Sequence, residues 1–559
     1  MATPAKKHAR LRFPLRVAAV VAGAFYFAGM ALAQDWPCYA HDPQHQADSA
    51  VASQAQAMVH WSAPVDLNQH LTGSDLYIHY GSPVITGSNT VIVPVKTGAT
   101  DGFEAVAYSY NAPANSLSQV WTLATDYSVP SCSWIPICGI TLTPGDGAVV
   151  VPAAGGTVLW RSAPDSANGV ATRLAFYGIA NYNANPAAFN SAIKICTPIA
   201  SDASGNLYFG YISTGGALPG YPGGIPSGLA RISSGGAGTY VAASAISGDA
   251  TTQSVLYNCQ PAISADGSTL YIGVSNIPPS SPNSYGTGYL CALNSITLAR
   301  TASVALQDPR AGAGAASLTN YSSATPTVGP DGDVYFGVNE ANIPSNNARG
   351  WMLHFSANLG TVKLPGAFGW DSTPSVVPAA AVTSYTGTSS YLILTKYNNY
   401  AGVGTGDGVN RMAVLDPNTG MADSVTNATV MNTVLTVTGT TSTNNRHSPN
   451  AVSEWCVNTA AVDPAGKCAV VNSEDGNLYR WDFTTNTLSP GLALATPTGE
   501  SYTPTAIGPD GAVYAINDSV LYSVGVTAQQ IPAMPRWAAV LLALMLPAIA
   551  GPLLARRRQ

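Results

Sequence analysis

The densest run of side chains able to bind or react lies between Trp370 and Trp481. It holds Lys396-Tyr397-Asn398-Asn399-Tyr400, then Asp407, Asn410 and Arg411, then Glu454-Trp455-Cys456, and finally Asn472 to Asn477 and Arg480-Trp481-Asp482. Aromatic faces supply contact area, amides supply directional hydrogen bonds and paired charges fix orientation, which together make a pocket for a carbohydrate or a peptide. Burying Lys396, Asp407, Arg411, Glu454 and Glu474 unpaired would be costly, so each must pair, meet solvent or meet a ligand. Tyr397, Asn398, Asp407, Arg411, Glu454 and Trp455 are therefore expected in one ligand pocket on one face of the molecule. The plainer alternative is hydrogen bonding between structural units.

Other chemistry is thinly represented. The eight histidines are scattered. His41 and His45 stand four apart, but in a segment with no helical character, so helical metal ligation does not follow. Gly402-Val403-Gly404-Thr405-Gly406-Asp407-Gly408 lacks the following Lys-Ser/Thr of a phosphate cradle, and no G-x-S-x-G elbow occurs. No catalytic residue, metal or cofactor is expected. Eight cysteines allow 105 pairings. Cys132 and Cys138, six apart in a proline-rich loop, are the local disulfide candidates. Cys138, Cys196, Cys259 and Cys456 each precede a repeated strand at equivalent places.

The elements that must position these residues repeat. Thr197-Pro198, Gln260-Pro261, Thr325-Pro326 and Thr503-Pro504 each open an alternating apolar run, an Asp-Gly-type turn and a second run ending near Tyr-x-Gly. Weaker copies start at Ser82-Pro83, Ile140-Thr141, Thr373-Pro374 and Asn458-Thr459. Alternation buries one strand face, the turn residues supply positive φ, and proline sits where its missing N–H breaks no ladder. A third strand usually follows, as in 288–294, 411–416, 476–483 and 519–524. A sandwich needs only seven to nine strands in all. Eight such units predict an all-β, eight-bladed propeller over residues 60–526, with seven blades as the rival because the copy at Thr373 is irregular. The lone strand His60–Val65 would complete the last blade.

Charged residues make up 9% and hydrophobic ones 46%, with 54 glycines and 40 prolines. This suits short strands and turns rather than long helices. Nine of the 23 basic residues crowd the two ends, where there is no acidic residue. The body between is acidic and offers no footprint for nucleic acid. Residues 1–33 have a basic start, an apolar run from Val17 to Met30 and Ala31-Leu32-Ala33, which predicts a cleaved export signal rather than a retained anchor. An arm at 34–59 precedes the propeller. Residues 527–536 form a linker, and the 19 uncharged residues Trp537–Ala555 predict a membrane helix followed by a basic cytoplasmic tail. The body is thus expected in the periplasm or on the cell surface of a Gram-negative-type bacterium.

Two resemblances sharpen this. The tail resembles the IPTL-CTERM sorting signal: Ile531, Pro532 and Trp537 match in position, while Ala533 and Met534 replace Thr-Leu. That resemblance implies a sorting protease as partner, against the alternative of a plain anchor. Trp36-Pro37-Cys38-Tyr39-Ala40-His41-Asp42-Pro43-Gln44-His45 and the later hairpins resemble pyrroloquinoline-quinone-like propeller proteins over about 36–526. The fold they imply hosts enzymes, scaffolds and binding modules alike. The enzymes carry Ala-x-Asp-x-x-Thr-Gly-Lys-x-x-Trp, and methanol-oxidising members stack the quinone on a Cys-Cys disulfide. Here Val414 to Gly420 lacks the Lys and Trp, and no Cys-Cys occurs. The expected function is a non-enzymatic envelope platform for an envelope protein or surface polysaccharide, with a periplasmic quinoprotein-like oxidoreductase as the alternative.

Overall fold

The computed structural model describes residues 34–72, 75–441, 452–456, 459–495 and 501–526. The export signal, the anchor helix and Ile531, Pro532 and Trp537 of the sorting motif lie outside the described residues. Among those described, no helix is long and apolar enough to cross a membrane.

Eight antiparallel sheets follow one another along the chain, each a propeller blade. Their innermost strands are Val84–Ile85, Thr141–Leu142, Ala200–Ser201, Ala262–Ile263, Thr327–Val328, Ser375–Pro378, Ala461–Asp463 and Ala506–Ile507, one for each repeat copy. The irregular copy at Thr373 forms a full four-stranded blade with Tyr391–Tyr397, Arg411–Ala422 and Thr429–Thr438. Its irregularity is only a longer connection after Pro378 with a 3-10 turn at Ala379–Ala381. Blade 5 is the short one, with three strands. Its outer edge is touched instead by bridges Phe355–Val362 and Met352–Gly366.

Blade packing modifies the simple alternation. Second strands such as Val334–Val338 and Cys468–Asn472 are buried along their whole length. A blade in the ring has a neighbour on each face, so both faces of its inner half are core. Towards the rim, Phe103–Asn111 loosens to a mixed pattern. The same packing explains the glycine of Tyr-x-Gly. A Cβ on Gly337 would strike the carbonyl oxygens of Gly369 and Ser372, at the start of the next blade. A Cβ on Gly210 would strike side chains instead, the methyl groups of Val255 and Thr197.

Met58–Pro64 pairs antiparallel with Val520–Gly525, from Met58–Gly525 to Pro64–Val520, as the outermost strand of blade 8. The N-terminal strand thus closes the ring. Three helices of five to seven residues occur among the described residues, Ile179–Ala184, Pro186–Ala192 and Ala243–Ser247. Pro186 begins the second, where Asn185 caps Ala188 N–H, and Gly248 ends the third in a left-handed conformation.

Candidate functional site

The arm before the closing strand lies across the inside of the ring. Its carbonyls accept backbone N–H groups from six innermost strands: Ile85 to Trp36, Leu142 to Pro37, Ile263 to Pro43, Val328 to Gln44, Val376 to Gln46 and Val462 to Ala47, at 2.7–2.9 Å. These strand-edge donors would otherwise face the channel unpaired, at a cost comparable to a lost hydrogen bond each. Gln44 and Gln46 add side-chain bonds to Ile263 and Val328 carbonyls. Ser53 and Gln54 then fasten the arm to Asp463 and to Gly511.

On the strand-entry side of the arm is a cavity of about 260 Å³ lined by Trp370, Asp371, Lys396, Tyr400, Glu454, Cys456 and Tyr502 with Ala348 and Val403. Most of the polar lining comes from residues just before the step that opens a repeat copy: Trp370 and Asp371 before Thr373-Pro374 of blade 6, Glu454 and Cys456 before Asn458-Thr459 of blade 7, Tyr502 before Thr503-Pro504 of blade 8. Tyr39 of the arm points this way, its hydroxyl donating to Ser323 O at 3.5 Å. An aromatic collar extends the wall. Tyr502 packs on Trp134 and His79 at 5.3 and 5.4 Å, and Trp370 packs edge-on to Tyr321 at 6.2 Å.

The charges are held in place. Asp371 Oδ1 accepts from Ser323 N–H and Oγ–H at 2.6 and 2.7 Å, while Oδ2 faces Lys396 Nζ at 4.0 Å. The Lys396 ammonium lies 6.0 Å from the Tyr502 ring centre. Cys456 Sγ donates to Glu454 Oε2 at 3.5 Å. Burial, and then the carboxylates of Glu474 and Glu454, push the Cys456 thiol well up. Burial and Glu454 do the same to the Tyr400 phenol. Both stay protonated at neutral pH and act as donors, not nucleophiles. Burial pushes His79 down, so its ring is neutral there. The cavity offers carboxylate acceptors, phenol donors, an ammonium and flat apolar walls.

Of the six residues expected in one pocket, Glu454 lines this cavity and the other five are placed elsewhere. For Tyr397, at the end of the strand Tyr391–Tyr397, strand parity is the reason. Lys396 faces the cavity, so its neighbour Tyr397 turns between blades 5 and 6, against Phe368 and under the Arg349 guanidinium. Glu454 faces the cavity, so Trp455 turns into blade 7, fully buried edge-on to Tyr479. Asn398 is fully buried and spends its amide on the Trp455 backbone. Asp407 and Arg411 pair with each other at 3.9 Å, partly exposed. Arg411 and Glu454 thus do not share a cavity. Asp371 and Tyr502 were not expected at the site; their place before a Thr-Pro step was the available signal.

Cys132 and Cys138 form no disulfide: all eight cysteines are free thiols. Ile135 between them pairs with the segment around Ile78. This carries Cys138 into one core cluster, while Cys132 packs at the edge of another beside Tyr257. Cys138, Cys196, Cys259 and Cys456 are buried, with thiols raised by desolvation, Cys259 to about 12.

No family model matches the chain, and no curated protein does. Among solved structures the chain is similar to a europium-containing methanol dehydrogenase, with a TM-score of 0.51 and 10% identity over 86% of this chain and 89% of that one. It is also similar to the quinohemoprotein alcohol dehydrogenase from Comamonas testosteroni, with a TM-score of 0.50 and 12% identity over 91% of this chain and 83% of that one. At such identities the likeness is one of fold.

Proposed function

We propose that this chain is a non-enzymatic cell-envelope platform whose axial cavity binds a polar group of a surface polysaccharide or of an envelope protein. The observation that carries this reading is the crossing of the channel by the arm. The arm is bonded to six blades, and its Tyr39 reaches Ser323, the residue that holds Asp371, so the cavity wall is fixed in place and carries aromatic faces and oriented polar groups. Preorganisation of this kind lowers the ordering cost of binding. The export signal and basic-tailed anchor read from the sequence would hold the body outside the inner membrane, where such ligands are found.

The alternative, a quinoprotein-like oxidoreductase, rests on the likeness of fold to alcohol dehydrogenases. The residues present do not fit pyrroloquinoline quinone, a flat tricarboxylate. No adjacent cysteine pair exists to stack it. Among the described lining residues one ammonium, Lys396, stands beside two carboxylates, Asp371 and Glu454.

The purified body should retain envelope polysaccharide fragments in a pull-down, and should show no dye reduction with alcohols or sugars after incubation with pyrroloquinoline quinone and Ca²⁺. Quinone-dependent turnover would overturn the platform reading in favour of the enzyme.

A further inference from the structure

Within the arm, His41, Asp42 and Asp48 bring one imidazole nitrogen and two carboxylate oxygens within 4.8 Å of one another. The backbone there is unusual. Ala40, His41, His45 and Ala47 all have left-handed φ, between 53° and 79°, which L-residues adopt at a cost.

His41 is 8% exposed, and its buried Nδ1 has no hydrogen-bond partner. Its nearest acidic neighbour is Asp42 Oδ2 at 3.7 Å, too far for a hydrogen bond. Asp42 is not free to close that gap, because Oδ1 accepts the N–H groups of Gln44 and Gln46 at 3.0 Å each. Two donor atoms bound to one ion by bonds of about 2.1 Å, at angles of 90–110°, stand about 3.0–3.4 Å apart. The 3.7 Å spacing is therefore close to a metal-bridged one and wrong for a direct bond. Asp48 is half-buried on the same side, and among the described residues no neighbour donates to its carboxylate.

We propose that His41 Nδ1 and the carboxylates of Asp42 and Asp48 bind one divalent transition-metal ion, with water completing its shell. One imidazole and two carboxylates suit Zn²⁺ or Mn²⁺; an imidazole ligand disfavours Mg²⁺ and Ca²⁺, which take oxygen. The ion's role is structural. His41 and Asp42 lie between the arm's bonds to blades 2 and 4, while Asp48 pairs with Val462 of blade 7. A shared ion cross-links these two parts of the arm. With the ion on Nδ1, Nε2 carries the ring proton and needs an acceptor. Nε2 now faces the Gln34 amide nitrogen, and Gln34 Oε1 accepts from Ala50 N–H. Loading therefore requires Gln34 Oε1 to turn towards Nε2–H and to release the Ala50 N–H, which is left to water.

The test uses the purified exported body, stripped with chelator and dialysed against Zn²⁺, Mn²⁺ or Mg²⁺. Elemental analysis should find one Zn²⁺ or Mn²⁺ per chain and no Mg²⁺, with a rise in melting temperature for the bound ions alone. Asp48→Asn and Asp42→Asn should each weaken binding at least tenfold. Cys456→Ser, which disrupts the other three-donor group of Glu454, Cys456 and Glu474, should bind as the wild type does. The Asp48→Asn change falls on a half-buried side chain and should leave the circular-dichroism spectrum unchanged. Absence of a stoichiometric ion from the wild type, or loss of it in Cys456→Ser with retention in Asp48→Asn, would overturn the assignment.

Discussion

Asn398 and Trp455 hold blades 6 and 7 together by a reciprocal pair of bonds. Asn398 Nδ2 donates to Trp455 O at 3.0 Å, and Trp455 N–H donates to Asn398 Oδ1 at 3.3 Å. Both residues are fully buried, so nothing replaces the amide if it is removed. Asn398→Ala should cost about 1–3 kcal/mol for each backbone group left without its partner. Urea unfolding with an unchanged m-value and a lowered midpoint would show it. A ligand affinity altered without loss of stability would instead mean that Asn398 faces a ligand.

Gly337 meets backbone, not side chains, where blade 5 packs on the chain entering blade 6. Gly337→Ala forces a shift of two carbonyls and should cost at least about 3 kcal/mol, beyond the usual overpacking range of about 1–3 kcal/mol. Gly223→Ala, which meets open space, should leave the melting temperature unchanged. Equal melting temperatures for the two variants would refute close blade contact at Gly337.

His79 gives stability a pH signature. Burial holds its native pKa below the ordinary value of 6.5, so the unfolded chain takes up a proton that the native chain declines. The associated stability is present above pH 6.5 and is lost as the pH falls from there towards the native pKa, at up to ~1.4 kcal/mol per pH unit. Between pH 7 and 5 the wild type should therefore lose stability more steeply than His79→Gln. Parallel curves for the two would place the ring in solvent.

The fold was legible because its rules are local. The turn residues and the proline at the strand start recur with each hairpin, and one innermost strand exists for each of the eight copies. The lone strand before the first copy also read as a ring closure because nothing local paired with it. The site was less legible. The cluster from Trp370 to Trp481 collected residues by nearness in sequence, yet Lys396 and Tyr397, or Glu454 and Trp455, face opposite ways along an extended chain. Parity within each repeat would have kept Lys396 and Glu454 and set their neighbours aside. Tyr502, distant in sequence, arrives only by ring geometry. Cys132 and Cys138 misled for a related reason: six residues of separation says nothing of the core cluster each side chain joins.

If the axial cavity binds a polar ligand, a calorimetric titration will register it. Envelope polysaccharide fragments titrated into the purified body should give saturable one-site binding. Trp370→Ala and Tyr400→Phe, which alter the cavity wall, should each weaken it about tenfold or more, while Asp407→Asn on the rim pair with Arg411 leaves it unchanged. Binding of the same strength in Trp370→Ala, Tyr400→Phe and the wild type, or weakened only by Asp407→Asn, would mean that the cavity is not the binding site.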